Sequence, residues 1–170
     1  MSETVLSEGE KRERLHELMA EFSTAMLVTR TSDGGMRARP LSIAEKRDDG
    51  GLYFSTAIDS PKADELRADA HVAVVMQDAR RFVSISGVAR LVQDRKLIED
   101  LWSEAWKVWF PKGKDDPSLA VLAIEPSEAA YWDMSGTTGL RYVFQMAKAY
   151  ATGTRPPSDD DERHTAHVKL

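Results

Sequence analysis

The chain has 170 residues, 42% hydrophobic and 30% charged, with a net charge of −5 and no cysteine. That make-up is expected of one soluble globular domain with a sizeable core. The acidic balance, with a sequence pI near 5.4, argues against a general nucleic-acid binder, and the missing thiols exclude disulfides, thiolate catalysis and sulfur-built zinc sites. No stretch approaches the roughly 20 apolar residues of a membrane span. The first eight residues show no basic region followed by an apolar run, so no signal peptide is visible. The expectation is a cytoplasmic protein without nucleic-acid or membrane partners.

In chain order, Ser7-Glu8-Gly9-Glu10 has the Ser-x-x-Glu pattern of a capping box, and Leu15, Leu18, Met19 and Phe22 follow at helical spacing, which predicts an amphipathic helix over 8–22. The period then changes. Ala25–Thr29 is a short apolar strand, Ser32-Asp33-Gly34-Gly35 a turn, Met36–Lys46 a second strand, Asp48-Asp49-Gly50-Gly51 a turn, and Leu52–Thr56 a third strand. A helix follows over 60–69, with Ser60 at the cap and Pro61 at its first position. His71–Gln77 is a Val-rich strand. Val83 to Leu91 alternates over a long two-faced strand whose central Gly87 marks a bulge or a close backbone approach.

Asp94 caps a helix predicted to run to about Trp109, carrying Leu97, Ile98, Leu101 and Trp102. Leu119–Glu125 is a strand that Pro126 interrupts, and Ala129–Asp133 resumes it beyond a bulge. Ser135–Gly139 is expected as a small-residue loop before a last helix from Leu140 to about Tyr150. From Gly153 to Arg163 the chain is Pro- and acid-rich, so residues 1–150 are expected as a single domain and 151–170 as a flexible tail. Strands joined by turns, without a crossover helix between each pair, predict an α+β fold built on an antiparallel barrel of six to seven strands with flanking helices.

Lys62 stands out chemically. A cation in the first turn opposes the positive end of the helix dipole and gains nothing locally. With Ser55, Thr56 and Ser60 nearby, it makes sense as one wall of a phosphate site, since helix N-termini bind anions. An ordinary capped helix with a solvated Lys is the competing reading. Arg37 and Arg39 share one side of their strand by alternation, either as further cations for that site or as an exposed strand edge. Trp102, Trp106 and Trp109 recur at helical spacing, so at least one belongs to core or interface. No His pairs with a carboxylate at metal-ligand spacing, and His164 and His167 follow the expected tail, so no metal site is expected. Gly-x-Ser-x-Gly, Gly-x-Gly-x-x-Gly and Walker patterns are absent, and no catalytic acid or base stands out.

Arg37-Ala38-Arg39-Pro40-Leu41, the Tyr53-Phe54-Ser55-Thr56 strand end, Ser60-Pro61-Lys62 and the Gly87 strand together resemble the FMN-binding split β-barrel of the pyridoxamine 5'-phosphate oxidase-like superfamily. Trp109-Phe110-Pro111, Asp116-Pro117, Ile124-Glu125-Pro126 and Ala130-Tyr131-Trp132-Asp133 resemble its bacterial general stress protein branch. The resemblance implies an oxidoreductase-like homodimer with FMN at the subunit interface. It places Arg39, Pro40 and Leu41 along the flavin ring, Phe54, Ser55 and Thr56 at the strand end, and Ser60 and Lys62 on the phosphate. Trp109 and Trp132 would close the ring pocket from the partner subunit. NAD(P)H or a small acceptor would be the redox partner. FAD or the deazaflavin F420 are alternative ligands, haem a weaker one, and a non-catalytic flavin holder or sensor an alternative function. The C-terminal Arg-Leu-x-Pro of true pyridoxamine phosphate oxidases is absent, which argues against that substrate.

Overall fold

The computed structural model of the protein describes residues 6–154 and 165–170. Helix α1 (Glu8–Ala20) is held by the Ser7–Glu10 capping box, in which each residue's side chain accepts the other's backbone N–H. Strands β1 (Thr24–Arg30), β2 (Met36–Lys46) and β3 (Leu52–Ala57) follow, joined by turns, then α2 (Pro61–Ala68), β4 (His71–Gln77) and β5 (Arg81–Val92). Next come α3 (Arg95–Leu101), 3₁₀ turns at Glu104–Val108 and Gly113–Asp115, β6 (Leu119–Asp133), α4 (Gly136–Thr152) and β7 (Thr165–Lys169). The strands lie in the order β3-β2-β1-β4-β5-β6-β7, and β3 also pairs with β6, which closes a six-stranded antiparallel barrel and leaves β7 outside it. Among the described residues no helix is long and apolar enough to cross a membrane.

Alternation along the strands separates two apolar clusters. Inward residues of every barrel strand, with Leu15, Leu18 and Met19 of α1, form the main core. Outside the barrel, Ile98, Leu101, Trp106 and Phe110 pack on outward Tyr53 and Ala57 of β3 and on Leu119 and Val121 of β6. The two clusters sandwich the β3–β6 seam, which fixes where the site lies.

Pro126 does not end a strand, because β6 is continuous from Leu119 to Asp133. On one edge β6 pairs with β3 through Ile124 and with β7 from Glu128, so Pro126 stands in the gap between two partners, where its missing N–H costs no ladder bond. On the other edge the register with β5 shifts at Ser86/Gly87, the bulge expected there. A Cβ on Gly87 would lie 2.2 Å from the Glu125 carbonyl oxygen, so only glycine permits this approach.

Three expectations are corrected. Helix α3 stops at Leu101, because Trp102 turns extended and the Ser103 hydroxyl accepts the Ala105 N–H to start a separate 3₁₀ turn. Helix α4 begins at Gly136, so Ser135–Gly139 holds its cap and first turn in place of the expected loop. The expected tail over 151–170 does not hold for its last residues: Thr165–Lys169 adds to β6 as β7, burying Ala166 and Val168 in the core. Residues 155–164, including His164 and most of the Pro- and acid-rich run, lie outside the described residues.

Candidate functional site

A cavity of about 650 Å³ opens between the neighbouring strands β2 and β3, the start of α2 and the 101–110 segment. Six of the sequence-predicted site residues line it: Pro40, Leu41, Ser55, Thr56, Lys62 and Trp109. One face is strand, with Pro40 and Ser42 side by side on β2 by alternation; the opposite wall is aromatic, with Trp106, Trp109 and Phe110. Trp106 is buried in the outer cluster and packs edge-on against Trp102, whereas Trp109 is 77% exposed at the rim. The resemblance implied closure by Trp109 from a partner; it borders the cavity of its own chain.

Among the described residues, Lys62 is the only titratable side chain lining this cavity. Its Nζ lies 3.4 Å from Ser60 Oγ, and no ion pair with a carboxylate forms among the described residues. Burial, then repulsion from Arg39, pulls its ammonium below the usual lysine value, partly offset by Glu65. Ser60 stands at the α2 cap position, but its side chain makes no capping bond. The Ala63 N–H donates to the Ser60 carbonyl at 2.8 Å. Thr56 is 3% exposed, lines the cavity and has no partner for its Oγ1. Buried hydroxyls are normally bonded, and leaving one unmade costs about 1–3 kcal/mol. The cavity lining thus holds a half-buried cation without a carboxylate partner and a buried hydroxyl without a partner, groups whose chemistry suits an anion with acceptor oxygens.

Arg37 and Arg39 do share one side of β2, and that side meets α2. Arg39 donates to Thr29 Oγ1 at 2.5 Å and to Glu65 Oε2 at 2.7 Å, and Arg37 donates to Glu65 Oε1 at 2.5 Å. The Thr29 hydroxyl completes the set at 2.6 Å from Glu65 Oε2. This hydroxyl above all, then the two guanidiniums, holds the Glu65 carboxyl below its usual range against the opposing effect of burial. Arg39 therefore sits behind the cavity, locked to Glu65 and close enough to Lys62 to repel it. Sequence reasoning missed Glu65; its only local signal is a place three residues after Lys62, one helical turn on.

Two expected residues lie elsewhere. Phe54 is inward on β3 and fully buried in the barrel core. Trp132 faces outward on β6, opposite Phe82, beyond the stretch of β6 that pairs with β3, and it does not line the cavity. The outward face of these strands is apolar and bare: Pro40, Met26, Val75 and Ser84 run in register across it.

A closed six-stranded antiparallel barrel with an anion-ready cavity on its outer seam defines a structural class, and the comparisons place the chain within it. The chain belongs to the pyridoxamine 5'-phosphate oxidase-like family, whose profile matches residues 10–157. It is similar to protein bli-3 of Neurospora crassa, at 27% identity over 82% of this chain and 72% of that protein. It is also similar to general stress protein 26 of Bacillus subtilis, at 32% identity over 45% of this chain and 58% of that one. Among solved structures, the general stress FMN/FAD binding protein of Xanthomonas citri superposes with a TM-score of 0.65 at 27% identity, covering 75% of this chain and 92% of that chain. General stress protein 26 of Bacillus anthracis shares the fold, with a TM-score of 0.65 at 20% identity, over 71% of this chain and 92% of that one.

Proposed function

We propose that the protein binds FMN in the β2–β3 cavity and works as a general stress-type flavoprotein. The observation that carries this reading is the pairing of Lys62, desolvated and without a carboxylate, with the buried, unpartnered Thr56 hydroxyl in one cavity. The FMN/FAD binding of its Xanthomonas citri relative supports it. Lys62, Ser60, Ser55 and Thr56 would hold the phosphate and ribityl oxygens. Pro40 and Leu41 would back the ring, with Trp109 across from them. Arg39, held by Glu65, adds positive potential from behind the cavity and favours an anionic ligand without touching it. A bound flavin supplies hydride and single-electron transfer, and the chain's part is to bind, orient and shield it. Two copies meeting through the bare sheet face would bury its apolar rows and form the homodimer.

A second reading has an observation of its own. Among the described residues no acid or base other than Lys62 borders the cavity, which favours a flavin holder over an oxidoreductase that must move a substrate proton. The test begins with the visible spectrum and mass of the ligand released from purified protein, then titration with FMN, FAD and F420. Steady-state NADH and NADPH oxidation with added acceptors then separates enzyme from holder. A colourless protein that takes up no flavin at micromolar concentration refutes both readings.

A further inference from the structure

Among the described residues, two lysines are partly withdrawn from water with no carboxylate in contact, and they differ in what surrounds them. Lys46, at the end of β2, donates to the Ala20 carbonyl at 3.3 Å and lines no part of the β2–β3 cavity. Burial pulls its ammonium below the usual value, partly offset by Glu21. Lys62 borders the cavity instead, with Nζ 3.4 Å from Ser60 Oγ and the buried, unpartnered Thr56 hydroxyl in the same lining. Burial and the charge of Arg39 both disfavour its ammonium. An amine so disfavoured as a cation is a better nucleophile near neutral pH, the way desolvation or a neighbouring positive charge activates lysines. The Lys62 cavity therefore joins a nucleophile to donors for an oxyanion, whereas Lys46 has the first without the second.

We propose that Lys62 is an acylation site: an acyl phosphate seats its phosphate on the Thr56 and Ser60 hydroxyls and passes its acyl group to Lys62 Nζ. A phosphate monoester offers the amine no electrophilic carbon. An acyl phosphate carries one, a single oxygen away from the phosphorus, so an amine beside the hydroxyls that hold the phosphate stands beside that carbon as well. Holding both reactants in one cavity makes the reaction local, and the Trp106–Phe110 wall offers the acyl chain apolar surface. The Nζ lone pair attacks the acyl carbon, the bond from that carbon to the phosphate oxygen breaks, and inorganic phosphate leaves with the electron pair. The amine proton passes to water, and nothing is oxidised or reduced. Arg39, fixed by Glu65 behind the cavity, favours the departing anion through its positive potential. The amide that forms is neutral, so the modified chain loses the one cation bordering the cavity among the described residues. This goes beyond the flavin reading, since it needs an anion beside Lys62 and no flavin.

The test is acetylation of the full chain by acetyl phosphate, with each lysine followed by peptide mass spectrometry after any bound flavin has been dialysed away. Lys62 should react at least about tenfold faster than Lys46, the factor that one hydrogen bond to a charged phosphate supplies. Acetic anhydride, which carries no phosphate, should show no such preference. Thr56→Val should bring the acetyl phosphate rate at Lys62 down towards that of Lys46 and leave its acetic anhydride rate unchanged. In wild type, added inorganic phosphate should slow Lys62 and spare Lys46, a check that needs no variant. Equal acetyl phosphate rates at the two lysines overturn the inference, and so does an equal preference for Lys62 with acetic anhydride. A Lys62 rate unmoved by inorganic phosphate or by Thr56→Val overturns it too. Titration with FMN keeps the two readings apart. A chain that takes up no flavin yet acetylates at Lys62 refutes the flavin reading and upholds this one, and a chain that binds flavin but shows no preference for Lys62 does the reverse.

Discussion

Replacing Lys62 with methionine keeps the alkyl stem and removes the charge. In the ligand-free protein the ammonium is half-buried, repelled by Arg39 and touched only by Ser60 Oγ at 3.4 Å, so its loss should leave the unfolding temperature unchanged or slightly higher. Binding should suffer instead. A hydrogen bond to a charged group is worth about 1.5–3 kcal/mol, and about 1.4 kcal/mol is a factor of ten, so FMN affinity should fall about ten- to a hundredfold. Riboflavin, which lacks the phosphate, should bind both proteins alike. Titration by quenching of flavin fluorescence measures both ligands. The proton gives an independent check. The ammonium starts below its ordinary 10.5, and a bound phosphate would raise it again. The part of FMN affinity that Lys62 supplies is therefore fully present below the depressed value and is lost as pH rises from it to the higher value of the bound state. Just above that value binding takes up a proton, visible by calorimetry in buffers of different ionisation enthalpy. Equal losses for FMN and riboflavin, or no loss for either, would refute the assignment of Lys62 to the phosphate.

Thr56→Val removes a buried hydroxyl that has no partner in the ligand-free protein; it should stabilise that state by about 1 kcal/mol in thermal unfolding while weakening FMN several-fold. Gly87→Ala sets a Cβ against the Glu125 carbonyl oxygen at 2.2 Å and should cost about 3 kcal/mol or prevent folding, read by urea denaturation. Asp78 accepts the Arg80 and Arg81 backbone N–H groups and the Arg81 guanidinium at the β4–β5 turn, and is pulled down from 3.8 to about 2. Its contribution to stability is present above pH 3.8 and lost as pH falls towards 2. Unfolding temperatures of wild type and Asp78→Asn should therefore differ at neutral pH and converge in acid.

The strands were legible because period-2 alternation and Asp-Gly turns are local signals, and the barrel followed from their order. The end of α3 was not, since Trp102, Trp106 and Trp109 fit helical spacing whether or not Ser103 restarts the turn. Strand β7 was hidden for a different reason: Thr-Ala-His-Val-Lys has little intrinsic preference and gains its ladder only from β6, more than 30 residues upstream. At the site, Ser60-Pro61-Lys62 announced itself through a cation where the helix dipole disfavours one. The Glu65 clamp did not, because its arginines arrive from β2, 28 and 26 positions away. Pro40 and Leu41 were picked out by the family resemblance and border the cavity, while period-2 alternation along β3 turns Phe54 into the core.

The seam between β3 and β6 joins residues 52–57 to 119–124, the kind of distant pairing that chain-closure entropy delays. Both the strand floor of the cavity and the aromatic cluster opposite it are mounted on that seam. Whatever binds there meets a finished pocket only after the ring has closed. Such a ligand cannot guide assembly, and it should act by slowing unfolding while leaving the folding rate untouched. Occupancy would then set how long each folded molecule lasts, independently of how fast it is made.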